Sequence, residues 1–584
     1  MTSIVILTFN KISYTKKCIE SIRKYTSKGS YEIIVVDNAS TDGTISWLKE
    51  QSDIITIFNK DNLGFPKGCN QGIEIAQGSE VLLLNNDVIV TPKWLEQMLE
   101  ALYSSKKIGA VGPVTNYAHG QEIPVTYQNE AEMVSFASEV TEKFKNKWSQ
   151  KTKLIGFCLL FKKSVLEEVG VLDELFSPGN YEDDDISFRI LLAGYKLLLC
   201  HNIFVHHFGS TSFRNDISKF NDLLSENELK FLDKWKIKKE NIGTCRKDLI
   251  DLMNLSSRNL NVFEVGCGIG KTLLEINNIN ANAKLFAIEK NEQAAIIAQN
   301  FAEVIIGDVE KTELPYKDQF FDYVILNDVL ECIYNYEELL LKIKPLLKNS
   351  GKLLVSCKNV QNSEVLKNLL KGKWEGENSR PETIRFFAIN ELKKIFDQCG
   401  YIIIKYCRNV LESEKEIQDF NKKLIESALI DDIFNFQSYQ WIFELSPKIE
   451  ENTDLKIIKL LNDLQRNEIS DIESAEILKC LINLEVNAEK LFLLINDMDG
   501  NTEKAIVEIA TSMYKYGYKT EGIKLLLETY KRYNESVDII YTLAFLLNLN
   551  GDKASAIKLL ENVKIRDIVL VELLNEVKGS DVII

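Results

Sequence analysis

The strongest constraint on this chain is a strict alternation of short apolar runs with helical periods. It begins at Ser3 and recurs in a second block after residue 255. The run SIVILT is followed by the helical pattern YTKKCIESIRKY, then YEIIVVD, TISWLKEQ, IITIFN, FPKGCNQGIEIAQ, EVLLLNND and PKWLEQMLEALYSS, the last opened by Pro92. Strands joined through helices run parallel, and the helices cover both faces of the sheet. Ligands of such sheets collect at the carboxyl ends of the strands. Those ends carry Asn10, Asp37, Asn59 to Asn62 and Asn85 to Asp87, a polar and acidic set suited to a sugar and a metal. The second alternation starts at NVFEVGCGIG and runs to the strands YIIIKY and YQWIFEL, and after Pro447 only helical periods remain. The charged helical stretch of residues 211–255 reads as a connector.

At 584 residues the chain exceeds one hydrophobic core. The pattern divides it at 1–240, 241–447 and 448–584: two α/β domains and an all-α tail. A net charge of −15 argues against a nucleic-acid backbone as main partner. Eleven cysteines with no CxxC pair suggest a reducing compartment and buried thiols. The start, MTSIVILTFNK, reads as a first strand and not a leader peptide, and no apolar run reaches the length of a membrane span. A soluble cytoplasmic protein is expected. His119, His201, His206 and His207 are the only histidines, so histidine chemistry belongs to the first domain.

The tail repeats itself. GYKTEGIKLLLE from Gly517 and GDKASAIKLLEN from Gly551 stand 34 residues apart, matching Gly522 with Ala556, Ile523 with Ile557, Leu525 with Leu559 and Leu526 with Leu560. A weaker third copy puts Ala488 and Leu491 in register. The period resembles tetratricopeptide (TPR) repeats, whose stacked hairpins make a concave binding surface; a generic helical bundle is the alternative.

Seven blocks in the first domain, in order, carry a family resemblance: VVDNASTDGT, DNLGFPKGCNQGI, LLLNNDVIVTPKWL, GAVGPVTN, LIGFCLLFKKSVLEEVGVLDELF, GNYEDDDISFR and VHHFGSTSF. They resemble the family 2 glycosyltransferases of GT-A fold. The resemblance implies a nucleotide-sugar donor, UDP-GlcNAc first by family frequency, and Mg²⁺ or Mn²⁺ on the diphosphate. It implies Asp87 as metal ligand, with His207, or second His206, completing the site. Asn85 stands where many relatives have a second aspartate. Asp183 is the implied base, paired with Glu182, and Asp185 and Arg189 lie on the following helix as donor-side support. Asp37, Thr8 and Asn10 are expected around the nucleotide, with Asn62, Asn70, Asn85 and Asn86 lining the same pocket. Asp42 is a candidate to fix the Ser-Thr-Asp turn. Four acids at a helix start also suit the helix dipole, and this reading is compatible with the base.

VFEVGCGIGKTLLEI resembles the glycine-rich motif of class I S-adenosylmethionine-dependent methyltransferases, with a Rossmann-like fold. The resemblance places Glu264, Gly266, Gly268 and Gly270 at the methyl donor, Glu289 at its ribose, Asp308 by its adenine and Asn327 beside it. Where relatives carry a histidine, this chain has Cys332 and, before RFF, the stretch RPETI; Asp328 or Glu331 would have to act as base. A scaffolding or ligand-sensing domain is the other reading.

Taken together, the sequence is expected to be a bacterial sugar transferase acting on a hydroxyl of a protein acceptor such as flagellin, read by the helical repeats, with methylation in addition. The alternatives are extension of a surface polysaccharide or lipid-linked glycan with methyl capping, and a non-catalytic assembly scaffold. Oligomeric state and sugar identity stay open.

Overall fold

A computed structural model describes the chain except for residues 210–216, 258, 374–382, 411–414, 428–432, 449–452, 465–469, 485, 497–501, 564–566 and 580–584. The end of the VHHFGSTSF block and Arg380 to Glu382 of RPETIRFF therefore lie outside the described residues. The chain forms two compact units, Met1–Lys448 and Ile449–Ile584. Among the described residues no helix is long and apolar enough to cross a membrane, and all eleven cysteines are free thiols.

The first unit holds two sheets. The nine strands of the first are β1 (Thr2–Thr8), β2 (Tyr31–Asp37), β3 (Ile54–Phe58), β4 (Glu80–Asn85), β5 (Val88–Ile89), β6 (Ile108–Thr115), β7 (Trp148–Lys151), β8 (Cys158–Lys162) and β9 (Lys196–His207). They are ordered β3-β2-β1-β4-β8-β6-β9-β5, with β7 also on β9. The stretch β3-β2-β1-β4 is parallel, as the alternation requires. The helix Phe65–Ile75 crosses over β1 so closely that a Cβ on Gly68 or Gly72 would lie 2.3 Å from the side chains of Leu7 or Val5.

The expected all-parallel sheet is corrected at β8, which runs antiparallel to both β4 and β6. The helix Trp94–Tyr103 delivers the chain to β6 and not to the edge of β4. The apolar run CLLFK then fills the gap from the opposite direction. Pro92 does not itself open that helix: its first residue is Trp94, after Lys93 at φ 63°. The two-residue β5 leaves the tip of β4 and pairs antiparallel with the end of β9, setting Val88 opposite His207.

The connector is more than a spacer. Its helix Ile217–Trp235 buries Asn227, Phe231 and Trp235, spaced four apart on one face, against the first domain. Ile269, Ala294 and Ile297 of the second domain join the same apolar cluster as Ile186, Phe188, Phe231 and Trp235.

The second sheet comprises β10 (Asn261–Val265), β11 (Lys284–Glu289), β12 (Glu303–Ile306), β13 (Phe321–Asn327), β14 (Leu347–Lys358), β15 (Tyr401–Val410) and β16 (Ser438–Pro447). The order is β12-β11-β10-β13-β14-β16-β15, parallel up to β14 and antiparallel through β16. The order reverses between β10 and β13, which opens a crevice at their carboxyl ends.

The second unit is helical throughout its described residues. The two repeat copies share a physical turn. Gly517 (φ 97°) and Gly551 (φ 88°) end their helices in the left-handed region. The following N–H groups of Tyr518 and Asp552 each donate to the carbonyl five residues back, of Met513 and Leu547, at 2.9 Å. Gly522 and Ala556 are buried at equivalent positions of the next helices.

Candidate active sites

In the first sheet the order reverses between β1 and β4, and the candidate residues gather at the carboxyl ends around that point. Asp37 ends β2 fully buried. One carboxylate oxygen accepts the Ser40 N–H at 2.9 Å, while Oδ2 is buried without a hydrogen-bond partner. A buried orphan acceptor is costly and marks a place for a ligand donor. Asn10 (φ 58°) shapes the same rim: its N–H donates to Ser40 Oγ at 2.7 Å, and its Oδ1 accepts the Thr41 N–H at 2.8 Å. Asp42 accepts the Ile12 N–H at 2.9 Å and the Thr44 hydroxyl at 2.5 Å, so its carboxylate fixes the turn. Burial would raise its pKa, but these hydrogen bonds bring it below the usual range.

Thr8 is buried and its hydroxyl lies 2.8 Å from that of Thr15; Asn86 donates to both, at 3.2 and 3.0 Å. Asn85 keeps a buried Oδ1 without a partner. Asn62 accepts from Gly64 N–H and from Asn38, holding the loop before the crossover helix. Asn70 spends both ends of its amide on the Leu172 backbone, at 2.9 and 3.0 Å. It joins two elements of the fold.

The β5–β9 pairing brings Asp87 and His207 together, with Asp87 Oδ1 3.3 Å from His207 Nε2. The imidazole is stacked on Phe157, with ring centroids 5.2 Å apart. Its Nδ1 lies 2.8 Å from the Tyr117 carbonyl, which can only accept, so Nδ1 carries the proton. Nε2 therefore faces the Asp87 carboxylate, and in the neutral tautomer with Nδ1 protonated it is the nitrogen available to share a divalent cation with Asp87. His206 faces elsewhere and is hydrogen-bonded to Tyr127 through Nδ1. Burial and the neighbouring His207 lower its pKa. Among the described residues no group of three or more His, Cys, Asp or Glu forms a metal cage. Asp87 and His207 are a carboxylate and an imidazole, a donor set that fits a divalent cation in part.

The base candidates open the helix Glu182–Leu192, where four acids occupy the first turn. Ahead of it Asn180 and Tyr181 both sit at φ 76°, and the buried Asn227 holds this loop by donating to the carbonyls of Phe176 and Gly179 at 2.8 and 2.9 Å. Asp183 is partly exposed. It accepts the Gly156 N–H at 3.0 Å and the Asp184 N–H at 3.0 Å. Desolvation and the Asp184 charge raise its pKa to about 6. Glu182 is buried with an unpartnered Oε2, and desolvation beside Asp183 pushes its pKa well up. Asp183 is thus the group poised to change charge near neutrality. If it is the base, kcat/KM for sugar transfer falls about tenfold per pH unit as pH drops below about 6. A profile flat to pH 5 contradicts this.

Asp185 and Arg189 are brought together away from the rim. Asp185 is fully buried and receives Arg189 Nε at 2.9 Å, Trp235 Nε1 at 3.0 Å and Lys234 Nζ at 2.5 Å. Arg189 also donates to the carbonyls of Val169 and Val171. This is a clamp on the helix. Arg189→Met is expected to cost about 2–3 kcal/mol, less than a fully broken buried pair because Lys234 remains. Chemical denaturation measures it.

In the second domain Gly266, Gly268 and Gly270 all have positive φ, at 69°, 54° and 81°. Glu289, at the end of β11, accepts the Gly268 N–H and the Asn291 N–H, each at 2.8 Å. Glu264 in β10 is buried with an orphan Oε2, and desolvation raises its pKa to about 8. Asp308 accepts the Glu310 N–H at 3.1 Å and pairs with Lys290 at 3.2 Å. An orphan acid beside a glycine loop and an acid at the next strand end fit a nucleoside carrying an amino-acid group.

Sequence reasoning missed two connector residues here. Asn241 accepts the Ile269 N–H on its carbonyl at 2.9 Å and reaches Glu289 through its amide. Arg246 is buried over the strand ends, bonded to Asn327, Ser356, Asp248 and Gln440. Asp328 accepts from Ser356 and Gln440 on Oδ1, at 2.8 and 2.6 Å. Cys332 is partly exposed.

Residues 3–170 match the model of glycosyl transferase family 2, and residues 237–406 that of a methyltransferase domain. The chain joins a family 2 glycosyltransferase domain to a methyltransferase domain. Glycosyltransferase AglE of Haloferax volcanii is 26% identical over 212 residues, 35% of this chain and 66% of that one. A Methanococcus voltae protein, dolichyl N-acetyl-alpha-D-glucosaminyl phosphate 3-beta-D-2,3-diacetamido-2,3-dideoxy-beta-D-glucuronosyltransferase, is 23% identical over 37% of this chain and 70% of its own length. Against two other curated relatives the chain spans only 23% and 36% of their lengths. The mannosyltransferase PcManGT from Pyrobaculum calidifontis, solved with GDP-Man and Mn²⁺, is 18% identical with a TM-score of 0.28, over 35% of this chain and 56% of that one.

Proposed function

We propose that residues 1–240 are an inverting, metal-dependent glycosyltransferase that moves a sugar from a nucleotide diphosphate to a hydroxyl of a protein acceptor such as flagellin. The observation that carries this reading is the pairing of Asp87 with the Nε2 face of His207 at the β4–β1 crevice. Asp183, with its pKa raised to about 6, supplies the second half of the chemistry. The acceptor hydroxyl gives its proton to Asp183 as its oxygen bonds the anomeric carbon. The bond from that carbon to the diphosphate breaks on the opposite face, and configuration inverts in one displacement. Mg²⁺ or Mn²⁺ held by Asp87 and His207 would neutralise the departing diphosphate. Asp37, Asn10 and Thr8 would orient the nucleotide.

Residues 241–447 are proposed to hold S-adenosylmethionine on Gly266, Gly268, Gly270, Glu264 and Glu289, with Asp308 and Asn327 at the adenine side. That group would supply an electrophilic methyl. Residues 448–584 are proposed as a TPR-like acceptor reader, and the whole protein as cytoplasmic.

The test is a donor-hydrolysis screen of nucleotide sugars, UDP-GlcNAc first, with magnesium and with manganese. Hydrolysis of none contradicts the reading. Deleting residues 449–584 is expected to raise KM for a protein acceptor about tenfold or more while donor hydrolysis is unchanged. Unchanged KM removes the motive for a protein acceptor. It would favour transfer to a lipid-linked or surface glycan, the reading that the Methanococcus voltae relative's name supports.

A further inference from the structure

The base-bearing helix is gripped by a segment that the mechanism above leaves unused. In Lys153–Gly156, three of the four consecutive residues bond the helix. Lys153 Nζ lies 2.7 Å from Asp184 Oδ1 and 2.9 Å from its Oδ2. The Leu154 N–H donates to Ser187 Oγ at 3.2 Å, the Ile155 N–H to Gln121 Oε1 at 2.6 Å, and the Gly156 N–H to Asp183 Oδ2 at 3.0 Å. One short loop thus hydrogen-bonds the base, caps its neighbour's charge and fixes the helix behind it.

The charge balance is unusual. Glu182, Asp183 and Asp184 crowd one turn. Asp184 is 8% exposed, and its side chain is the one that Lys153 meets as a forked ion pair. The other groups facing this cluster are the Tyr181 phenol with Glu228 beside it, the buried Cys69 thiol near Glu182, the adjacent Asp185 with its own partners Arg189 and Lys234, and, from the second domain, Lys271, which feels both Lys153 and Asp184. Lys271 is itself held by the Gly243 carbonyl at 3.0 Å, so it is directed away from a direct bond to the acids. Lys153 is therefore the one cation with a direct contact to the cluster among the described residues.

We propose that Lys153 is a positioning residue for the base: by holding Asp184 in a forked ion pair it keeps Asp183 ionised and aimed. This rests on Asp183 being the base. Removing Lys153 leaves three carboxyls with no direct counter-charge, which favours the protonated form of Asp183. Removing the Asp184 charge does the opposite, because that charge is one of the two causes that raise Asp183. A residue that served packing alone would lower stability and leave the acid limb in place.

The experiment is the pH profile of kcat/KM for donor turnover in the full chain, wild type against Lys153→Met, Lys153→Arg and Asp184→Asn, with Asp183→Asn alongside. The acid limb is expected to rise by about one pH unit in Lys153→Met, return in Lys153→Arg and fall in Asp184→Asn. KM for the donor should change less than twofold in each, against a kcat loss of about fivefold at pH 6 for Lys153→Met. If Lys153→Met does not fold, the opposite shifts of Asp184→Asn and a Lys153→Gln variant decide the matter. An unmoved limb in folded Lys153 and Asp184 variants overturns the proposal while the base stands. Full turnover in Asp183→Asn overturns the base itself, and with it the proposal.

Discussion

Replacing Asp183 by asparagine is expected to lower sugar-transfer turnover by about 10²–10⁴ with the fold retained. The change is nearly isosteric, and one amide oxygen can still accept the Gly156 N–H. What it removes is the only acid of the cluster that is partly exposed and titrates near neutrality. Glu182 is not placed to take over, because it is buried and desolvation beside Asp183 pushes its pKa well up. Asp184 is committed to Lys153 and Asp185 to Arg189, Trp235 and Lys234. Steady-state kinetics at pH 7.5 with saturating donor measure the loss. Donor KM should stay within about twofold, since proton removal is felt in the transition state and not in ground-state binding. Turnover within threefold of wild type would mean that the base lies elsewhere.

Asp87→Ala is the second large expectation. It takes away the one carboxylate of the proposed metal pair and leaves His207 alone. Loss of metal stabilisation on the leaving diphosphate is worth several kcal/mol, so turnover is expected to fall about 10²–10³-fold. In the wild type, manganese should bind weakly to the free protein and firmly once a nucleoside diphosphate is present, because two protein ligands do not satisfy a six-coordinate ion. Titration with and without UDP, followed by electron paramagnetic resonance of the free ion, reads both states. Tight binding without nucleotide, or full activity after chelation, would contradict the assignment. The asparagine at position 85 makes this test pointed: it lowers the ligand charge by one relative to an aspartate pair.

Much of this is legible in the amino-acid sequence. Apolar alternation predicts the parallel core of both sheets, because period and polarity are local properties. The motifs also point to Asp37, Asp87 and His207 at the ends of strands or just past them, and to Asp183 in the first turn of a helix. What stays hidden depends on long-range pairing. β8 is part of a motif, and nothing local says that it runs backwards between β4 and β6. Asn70, Asp185 and Arg189 look like pocket residues by position along the chain, yet their polar atoms are used to join elements of the fold. Arg246 and Asn241 give no signal, since a connector's hydrogen bonds to two distant strand ends leave no periodic trace. The Asn227, Phe231, Trp235 spacing is visible in the connector, but the charges around it mask the buried face.

The apolar cluster that Ile269, Ala294 and Ile297 share with Phe188, Phe231 and Trp235 has a consequence for how the molecule melts. The chemistry divides near residue 240, but the hydrophobic stabilisation does not. Cutting there would expose both halves of one core, so neither fragment should behave as a well-behaved monomer. Residues 1–448 should instead unfold as one cooperative transition, with a calorimetric enthalpy equal to the van't Hoff value. Catalytic boundaries and cooperative boundaries are then different lines on the same chain.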